Sequence, residues 1–88
     1  MSSLEDEFQH YSRAVKLISN SPPDEDLLVL YGLYKQSTIG DCNTNEPGFF
    51  EFTEKTKWNS WNNYKGKSKN ESMNLYIEKA KNVIDNYS

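Results

Sequence analysis

"LLVLYGLYKQ", residues 27 to 36, is the stretch of this sequence on which the fold depends. At ~100° per residue its apolar side chains cover most of the circumference of a helix, which is more than one face can hold. We therefore predict a helix that is buried on more than one side, beginning near Asp24 and ending where Gly40 can serve as the C-terminal cap. The apolar set is Leu27, Leu28, Leu30, Tyr31, Leu33 and Tyr34.

Three further helical patterns flank this helix. The first runs over residues 4–18, with Ser2 or Ser3 as its N-cap, and the third runs over residues 53–65 and ends at Gly66. The fourth begins with a capping box, in which Ser68 caps the helix and Glu71 follows three residues later. The sequence therefore predicts four helices within a single domain that covers residues 1–88.

Residues 40–52 form a long connection without helical periodicity, between the second and third helices. Long loops without secondary structure are uncommon in small domains and are often functional. We expect Phe49, Phe50 and Phe52 to fasten this loop to the body of the protein.

Composition limits the possible cellular roles. The formal net charge is −3, which argues against a nucleic acid backbone as the main partner. The only cysteine cannot form an internal disulfide bond, so a reducing, cytoplasmic location is expected. The N-terminus shows no signal-peptide pattern, and no apolar run is long enough to span a membrane.

The sequence contains few residues in arrangements suited to catalysis. The only histidine, His10, lies on the polar side of the first helix, and Cys42 lies in the long loop with no predicted base beside it. No residues show metal-ligand spacing, and no glycine-rich phosphate loop is present. We predict a protein that is not an enzyme; a thiol enzyme built on Cys42 is the weaker alternative.

A gradient of side-chain chemistry runs along the second helix. Leu27, Tyr31 and Lys35 follow one another at intervals of four residues, so the stripe changes from aliphatic to aromatic to cationic. "KTKW", residues 55 to 58, offers a second such set with Lys55, Lys57 and Trp58. If the two sets face each other, they would form a groove that is apolar at one end and binds a phosphate at the other. Each set taken alone is more typical of aromatic core residues with solvated lysines.

The segment 55–69 contains five lysines and no acidic residue. A basic segment in an acidic protein can bind a compact anion. It also supports a different class of function, a helical interaction module that binds an acidic peptide or a nucleic acid through residues 55–69.

The sequence resembles the acyl-CoA-binding protein family over almost its whole length. The resemblance rests on "YGLYKQSTIGD" at 31–41, on Asn43 followed by Pro47-Gly48, and on "KTKWNSWNNYKGKSKNESMNLYI" at 55–77. It implies an all-α four-helix bundle of up-down-down-up topology with a long loop between the second and third helices. It further implies a non-catalytic intracellular carrier that binds, sequesters, transports and buffers long-chain fatty acyl-CoA thioesters.

Carried over by position, the resemblance also implies a head-group site. Tyr31, Lys35 and Lys57 would hold the ribose 3′-phosphate of the ligand. Lys16 would assist them from the first helix, and Tyr34 would border the adenine together with Tyr31.

The same resemblance implies that Leu27, Leu28, Trp58 and Tyr76 line the acyl tunnel. Acyl-CoA would be the bound ligand, with no further cofactor and no metal. The resemblance further suggests a monomer that neither inserts stably into membranes nor binds nucleic acid.

Four positions depart from the usual family pattern. Ser12 stands where a small apolar residue is common, so its hydroxyl needs a hydrogen bond, for which its own helix carbonyls are available. Thr53 replaces a frequent lysine. Thr56 and Phe50 are larger than the usual residues near the tunnel and the loop, which leaves the preferred chain length open.

Overall fold

The computed structural model describes residues 3–88, and these residues form four α-helices and no β-strand. The helices are α1 (Leu4–Ala14), α2 (Asp24–Thr38), α3 (Phe52–Asn62) and α4 (Lys69–Tyr87). One turn of 3₁₀ helix, Val15–Leu17, continues α1.

Polar contacts between the helices define the topology. Lys79 of α4 reaches Asp26 at the start of α2, and the Gln36 side chain at the end of α2 donates to the Lys67 carbonyl just before α4. These two helices are therefore antiparallel. The Asn20 amide after α1 donates to the Tyr87 carbonyl at the end of α4, which makes α1 and α4 parallel. The predicted up-down-down-up bundle is confirmed.

The core lies where α4 packs against both α1 and α2. Phe8 of α1 is fully buried; its ring centroid lies 4.9 Å from that of Tyr76 on α4 and 5.5 Å from that of Tyr34 on α2. Among the described helices, α3 packs only against α2, so α2 is buried on several sides as its sequence predicts. The buried core residues are Phe8, Leu30, Leu33, Tyr76, Ile77, Ala80 and Val83.

Helix α1 is shorter than predicted. It was expected to extend to Ile18, but its α-helical part ends at Ala14, and Ile18 adopts an extended backbone conformation. The chain turns early because the Asn20 amide bonds to the end of α4. At the other end the Ser3 hydroxyl accepts from the Asp6 amide, which confirms that cap; the alternative cap, Ser2, lies outside the described residues.

The boundaries of the other helices follow the sequence signals more closely. Gly40 and Gly66 both have positive φ angles, 104° and 92°, as expected for residues that end helices. Helix α3 stops at Asn62, three residues before its predicted end, because the amides of Tyr64 and Lys65 bond to carbonyls three residues back in a tighter turn. The Ser68 hydroxyl accepts from the Glu71 amide, so the predicted cap is present.

The long loop is held by polar groups and not by its phenylalanines. The indole N–H of Trp61 donates to the Gly40 carbonyl at 2.8 Å, and that of Trp58 donates to the Thr44 carbonyl at 3.0 Å. The expectation for Phe49, Phe50 and Phe52 is wrong, since these side chains remain 73%, 84% and 68% exposed.

Ser12 satisfies its hydroxyl as predicted. The side chain is buried in the seam between α1 and α4, and its Oγ donates to the Gln9 carbonyl of its own helix at 2.8 Å. A local hydrogen bond of this kind allows a small polar residue to occupy an apolar seam.

Candidate functional site

Two neighbouring cavities lie along α2. The larger, with a volume of about 520 Å³, lies between α2, the segment after α1 and Tyr76 of α4. The smaller, about 370 Å³, lies between the N-terminal ends of α2 and α3. Leu27 lines both cavities and is 44% exposed, so one ligand could extend across it from one cavity to the other.

Helices α2 and α3 run in parallel, and the chemistry between them changes with each turn. Their N-terminal ends contribute Leu27, Leu28, Phe52 and Thr56 to the smaller cavity. Lys57 lines the same cavity and directs its ammonium group towards the Tyr31 ring, one turn further along. Lys35 and Trp61 meet after another turn. Of the two sequence stripes, Leu27, Tyr31 and Lys35 of α2 thus lie beside Lys57 of α3, and the side chains grade from apolar to cationic along α2.

Two ammonium groups approach the ring of Tyr31. The Nζ of Lys57 lies 5.2 Å from the ring centroid and the Nζ of Lys35 lies 5.9 Å from it. Lys35 is also 5.3 Å from the Trp61 ring, so a partly buried aromatic surface positions this cation. Cations held in this way can meet an anion without a large loss of side-chain entropy.

Tyr31 keeps its proton at neutral pH. Burial raises the pKa of its hydroxyl, and the negative charge of Glu54 raises it further. A protonated hydroxyl on a ring that two ammonium groups approach can donate a hydrogen bond to a phosphate oxygen.

Tyr76 closes the inner wall of the larger cavity. Its side chain is 4% exposed, and burial raises its pKa to about 12, with a further contribution from Tyr34. Because Tyr76 also packs on Phe8, it connects the seam between α1 and α4 to the cavity. Tyr34 lies beside it and remains partly exposed at the cavity wall.

The remaining predicted site residues fall into two groups. Lys16 lines the larger cavity, and Leu28 lines the smaller. Lys55 and Trp58 line neither: Lys55 forms an exposed ion pair with Glu46 of the loop at 3.2 Å, and Trp58 bonds to the Thr44 carbonyl. These two residues connect α3 to the long loop.

Several lining residues were not singled out from the sequence. Residues 19–22, which connect α1 to α2, form one wall of the larger cavity. Their polar and proline-containing sequence predicts only a connection, and no sequence signal indicates the wall. Trp61 is a further such residue, since its contact to Lys35 depends on how α2 and α3 pack.

The basic segment is divided among several contacts. Lys55 pairs with Glu46, Lys67 pairs with Glu71 at 3.4 Å, and Lys57 lies over Tyr31. These contacts direct three of the five lysines to separate places, which gives no support to a continuous basic surface for an acidic peptide or nucleic acid.

Cys42 and His10 have separate surroundings. The Sγ of Cys42 lies 3.9 Å from the Thr44 hydroxyl, whereas the His10 ring packs against that of Tyr11. Within residues 3–88 we find no group of three or more His, Cys, Asp or Glu side chains suited to a metal ion. In the same part of the chain, no helix combines the length and apolar character needed to cross a membrane.

A family model and the sequences of known proteins indicate the same family for this chain. A family model described as "Acyl CoA binding protein" matches residues 5–80. The acyl-CoA-binding protein of Gossypium hirsutum is 45% identical over 82 residues, which cover 93% of this chain and 92% of the relative. That of Brassica napus is 44% identical, with 93% and 89% covered.

Solved structures agree with the sequence relatives. The crystal structure of Oryza sativa acyl-CoA-binding protein 2 superposes with a TM-score of 0.91 at 39% identity, covering 96% of this chain and 93% of that chain. The solution structure of the yeast acyl-coenzyme A binding protein gives 0.74 at 38% identity, with 92% and 94% covered.

Proposed function

The chain belongs to the acyl-CoA-binding protein family, and on this premise we propose that it is a non-catalytic carrier of long-chain fatty acyl-CoA thioesters. The observation that carries the proposal is the graded groove between α2 and α3. Its apolar end suits a hydrocarbon chain, and its other end places the ammonium groups of Lys57 and Lys35 beside Tyr31.

The ligand is proposed to use both cavities. The nucleotide part of CoA would occupy the larger cavity, with Lys16, Tyr31 and Tyr34 around it, and Lys57 and Lys35 would face its 3′-phosphate. The acyl chain would cross Leu27 into the smaller cavity, where Leu28 lies. Tyr76 would support the site from behind. Lys55 and Trp58 would act indirectly, by holding the loop next to α3.

The expected binding energies of the CoA head group and of the acyl chain suggest that the two have different roles. Each charge-assisted hydrogen bond to the phosphate contributes ~1.5–3 kcal/mol, before the losses from ordering. Each buried methylene contributes ~0.8 kcal/mol, so a dozen would give ~10 kcal/mol at most. The head group would decide which ligand binds, and the chain length would decide how tightly it binds.

Calorimetry with palmitoyl-CoA, free CoA and free palmitate tests the proposal. Palmitoyl-CoA should bind far more tightly than either of the other two, because only it fills both ends of the groove. Equal affinity for free CoA and palmitoyl-CoA would contradict the proposal. Binding of RNA or DNA with a steep salt dependence, in the absence of palmitoyl-CoA binding, would instead favour the interaction-module alternative.

We further propose the cellular setting of this carrier. Residues 1–88 would act as one acyl-CoA-binding domain that sequesters, transports and buffers acyl-CoA in the cytoplasm. It would work as a monomer. The net charge of −3 argues against nucleic acid as a partner.

A further inference from the structure

Three phenylalanines at the junction of the long loop and α3 stay in solvent. Phe49, Phe50 and Phe52 are 73%, 84% and 68% exposed, which is unusual for side chains of this size. They contact one another: the ring centroids of Phe49 and Phe50 are 5.2 Å apart, and those of Phe49 and Phe52 are 6.4 Å apart. We call these three residues the phenylalanine cluster.

The phenylalanine cluster is continuous with the smaller cavity. Phe52 lines that cavity together with Leu27, Leu28 and Thr56, and Phe49 and Phe50 follow it outwards. Lys57 also lines this cavity, and its ammonium group lies over the ring of Tyr31, which lines the larger cavity. A hydrocarbon chain that enters from the charged end and passes Phe52 therefore meets Phe49 and Phe50 next.

Polar neighbours hold the backbone of the cluster in place. The carboxylate of Glu51 accepts from the Gly48 amide at 2.9 Å, and the Glu51 amide donates to the Gly48 carbonyl at 3.0 Å. The turn that carries Phe49 and Phe50 is thus closed by its own hydrogen bonds. The exposed rings are not needed to fasten the loop, because Trp58 and Trp61 do so.

We propose that Phe49 and Phe50 form a distal acyl subsite, which extends the groove and gives this protein a preference for very-long-chain acyl-CoA. The inference rests on the proposed function and adds the chain-length class to it. Methylenes beyond those held by the smaller cavity lie across the two rings, so that ligand and rings remove each other's apolar surface from water. Shorter chains end before the rings and leave them exposed.

Competition titrations with 16-carbon and 24-carbon acyl-CoA, kept below micelle-forming concentrations, test the subsite. The wild-type protein should bind the 24-carbon ligand about tenfold more tightly or better, since covering the equivalent of about two methylenes suffices for that ratio. The double variant Phe49→Ser/Phe50→Ser should bind both ligands with nearly equal affinity, and its affinity for the 16-carbon ligand should be unchanged.

Leu17→Ser provides the matched control, because Leu17 is 83% exposed and lines neither cavity. It should keep the wild-type ratio of the two affinities. Thermal unfolding of all variants should be unchanged, since the substituted side chains are exposed.

Other outcomes would overturn the subsite. If the wild type binds both ligands equally, or if the double variant keeps the tenfold ratio, Phe49 and Phe50 do not contact the chain. Ring-dependent flotation with phosphatidylcholine vesicles, or ring-dependent dimerisation in sedimentation, without an effect on chain length, would assign the cluster to a membrane or to a second copy. Failure of the wild type to bind either ligand would refute the proposed function itself.

Discussion

Gly32 shows at the scale of one residue why a poor helix former occupies the middle of α2. A Cβ atom at this position would lie 2.4 Å from the Ser60 carbonyl oxygen and 2.8 Å from the Tyr64 ring. Backbone atoms cannot move aside as the end of a flexible side chain can. The absence of a side chain therefore allows α3 to approach α2 closely enough to bring Lys57 over Tyr31.

Gly32→Ala should destabilise the protein even though alanine is the better helix former. The gain in helix propensity is up to ~1 kcal/mol, and the cost of forcing α3 away exceeds it, so we expect a net loss of ~1–2 kcal/mol in the free energy of unfolding. Urea denaturation measures the change. Gly48→Ala is the control, because its Cβ would meet only the Glu51 carboxylate at 3.7 Å. A Gly32→Ala variant as stable as the wild type would contradict the close packing.

Lys35 is the residue at which a role in ligand binding is most easily distinguished from that of an ordinary solvated surface lysine. Its ammonium lies near the rings of Tyr31 and Trp61, and among residues 3–88 it forms no ion pair with a carboxylate. A cation that is held beside two rings and left without a carboxylate is available to an anionic ligand.

Lys35→Ala should weaken binding of palmitoyl-CoA by more than ~1 kcal/mol, roughly fivefold or more, because it removes a phosphate partner. Titration calorimetry measures the loss. Lys81→Ala serves as the control with the same change of charge, since Lys81 pairs with Glu7 and lies over the ring of Tyr11 on α1, not over that of Tyr31. Equal affinities of the two variants would return Lys35 to a solvated surface position.

At the scale of elements, Asp41 at the start of the long loop connects α2 to the turn that follows α3. Its Oδ1 accepts from the Gly66 amide at 2.8 Å and from the Gln36 side chain at 2.9 Å. The first bond connects the start of the long loop to the turn after α3. The second connects it to α2. Both bonds favour the charged carboxylate, and the Gly66 bond is the larger cause of the lowered pKa of Asp41.

Asp41→Ala should speed amide hydrogen exchange at Gly66, because the amide loses its acceptor. Since the pKa of Asp41 is lowered in the folded protein, its contribution to stability is complete above the ordinary pKa of an aspartate. That contribution is lost as pH falls through the lowered value. Unfolding measured against pH should accordingly show a weaker acid dependence in the variant.

Asp41→Asn gives the comparison for this prediction. It keeps an oxygen acceptor for Gly66 but removes the charge, so its exchange rate should lie between those of the wild type and Asp41→Ala. Unchanged exchange in both variants would show that the turn does not depend on Asp41.

At the scale of the whole molecule, the site depends on contacts far from the ligand. Helix α4 packs on α1 and α2, and the Lys79–Asp26 ion pair at 2.7 Å fixes its direction against α2. Tyr76 transmits this packing to the wall of the larger cavity. A ligand that spans both cavities would contact residues of three helices, so its binding would favour the folded state.

Palmitoyl-CoA should therefore raise the thermal stability of the protein. At a free concentration of about a hundred times Kd, binding to the folded state alone adds ~2.7 kcal/mol, which corresponds to a rise in Tm of ~10 °C or more in a domain of this size. Scanning calorimetry measures the shift. Free CoA at the same concentration should give a smaller rise, and an equal rise for both ligands would show that the apolar end of the groove contributes nothing.

The amino-acid sequence by itself determined the number of helices, their order and most of their caps, because these depend on neighbours a few residues apart. Ser3, Gly40 and Ser68 begin or end helices as their types predict, whereas Gly66 lies in the turn that follows α3. The graded stripe from Leu27 to Lys35 was equally readable, since four-residue spacing maps directly onto one face of a helix.

Only the tertiary structure decided which of these residues contact one another across the fold. The early end of α1 depends on a hydrogen bond to Tyr87, more than sixty residues away. The role of Gly32 depends on the carbonyl of Ser60, and the exposure of Phe49 and Phe50 depends on two indole groups that hold the loop instead. Contacts between distant segments arise from the packing of whole helices, which local periodicity does not specify.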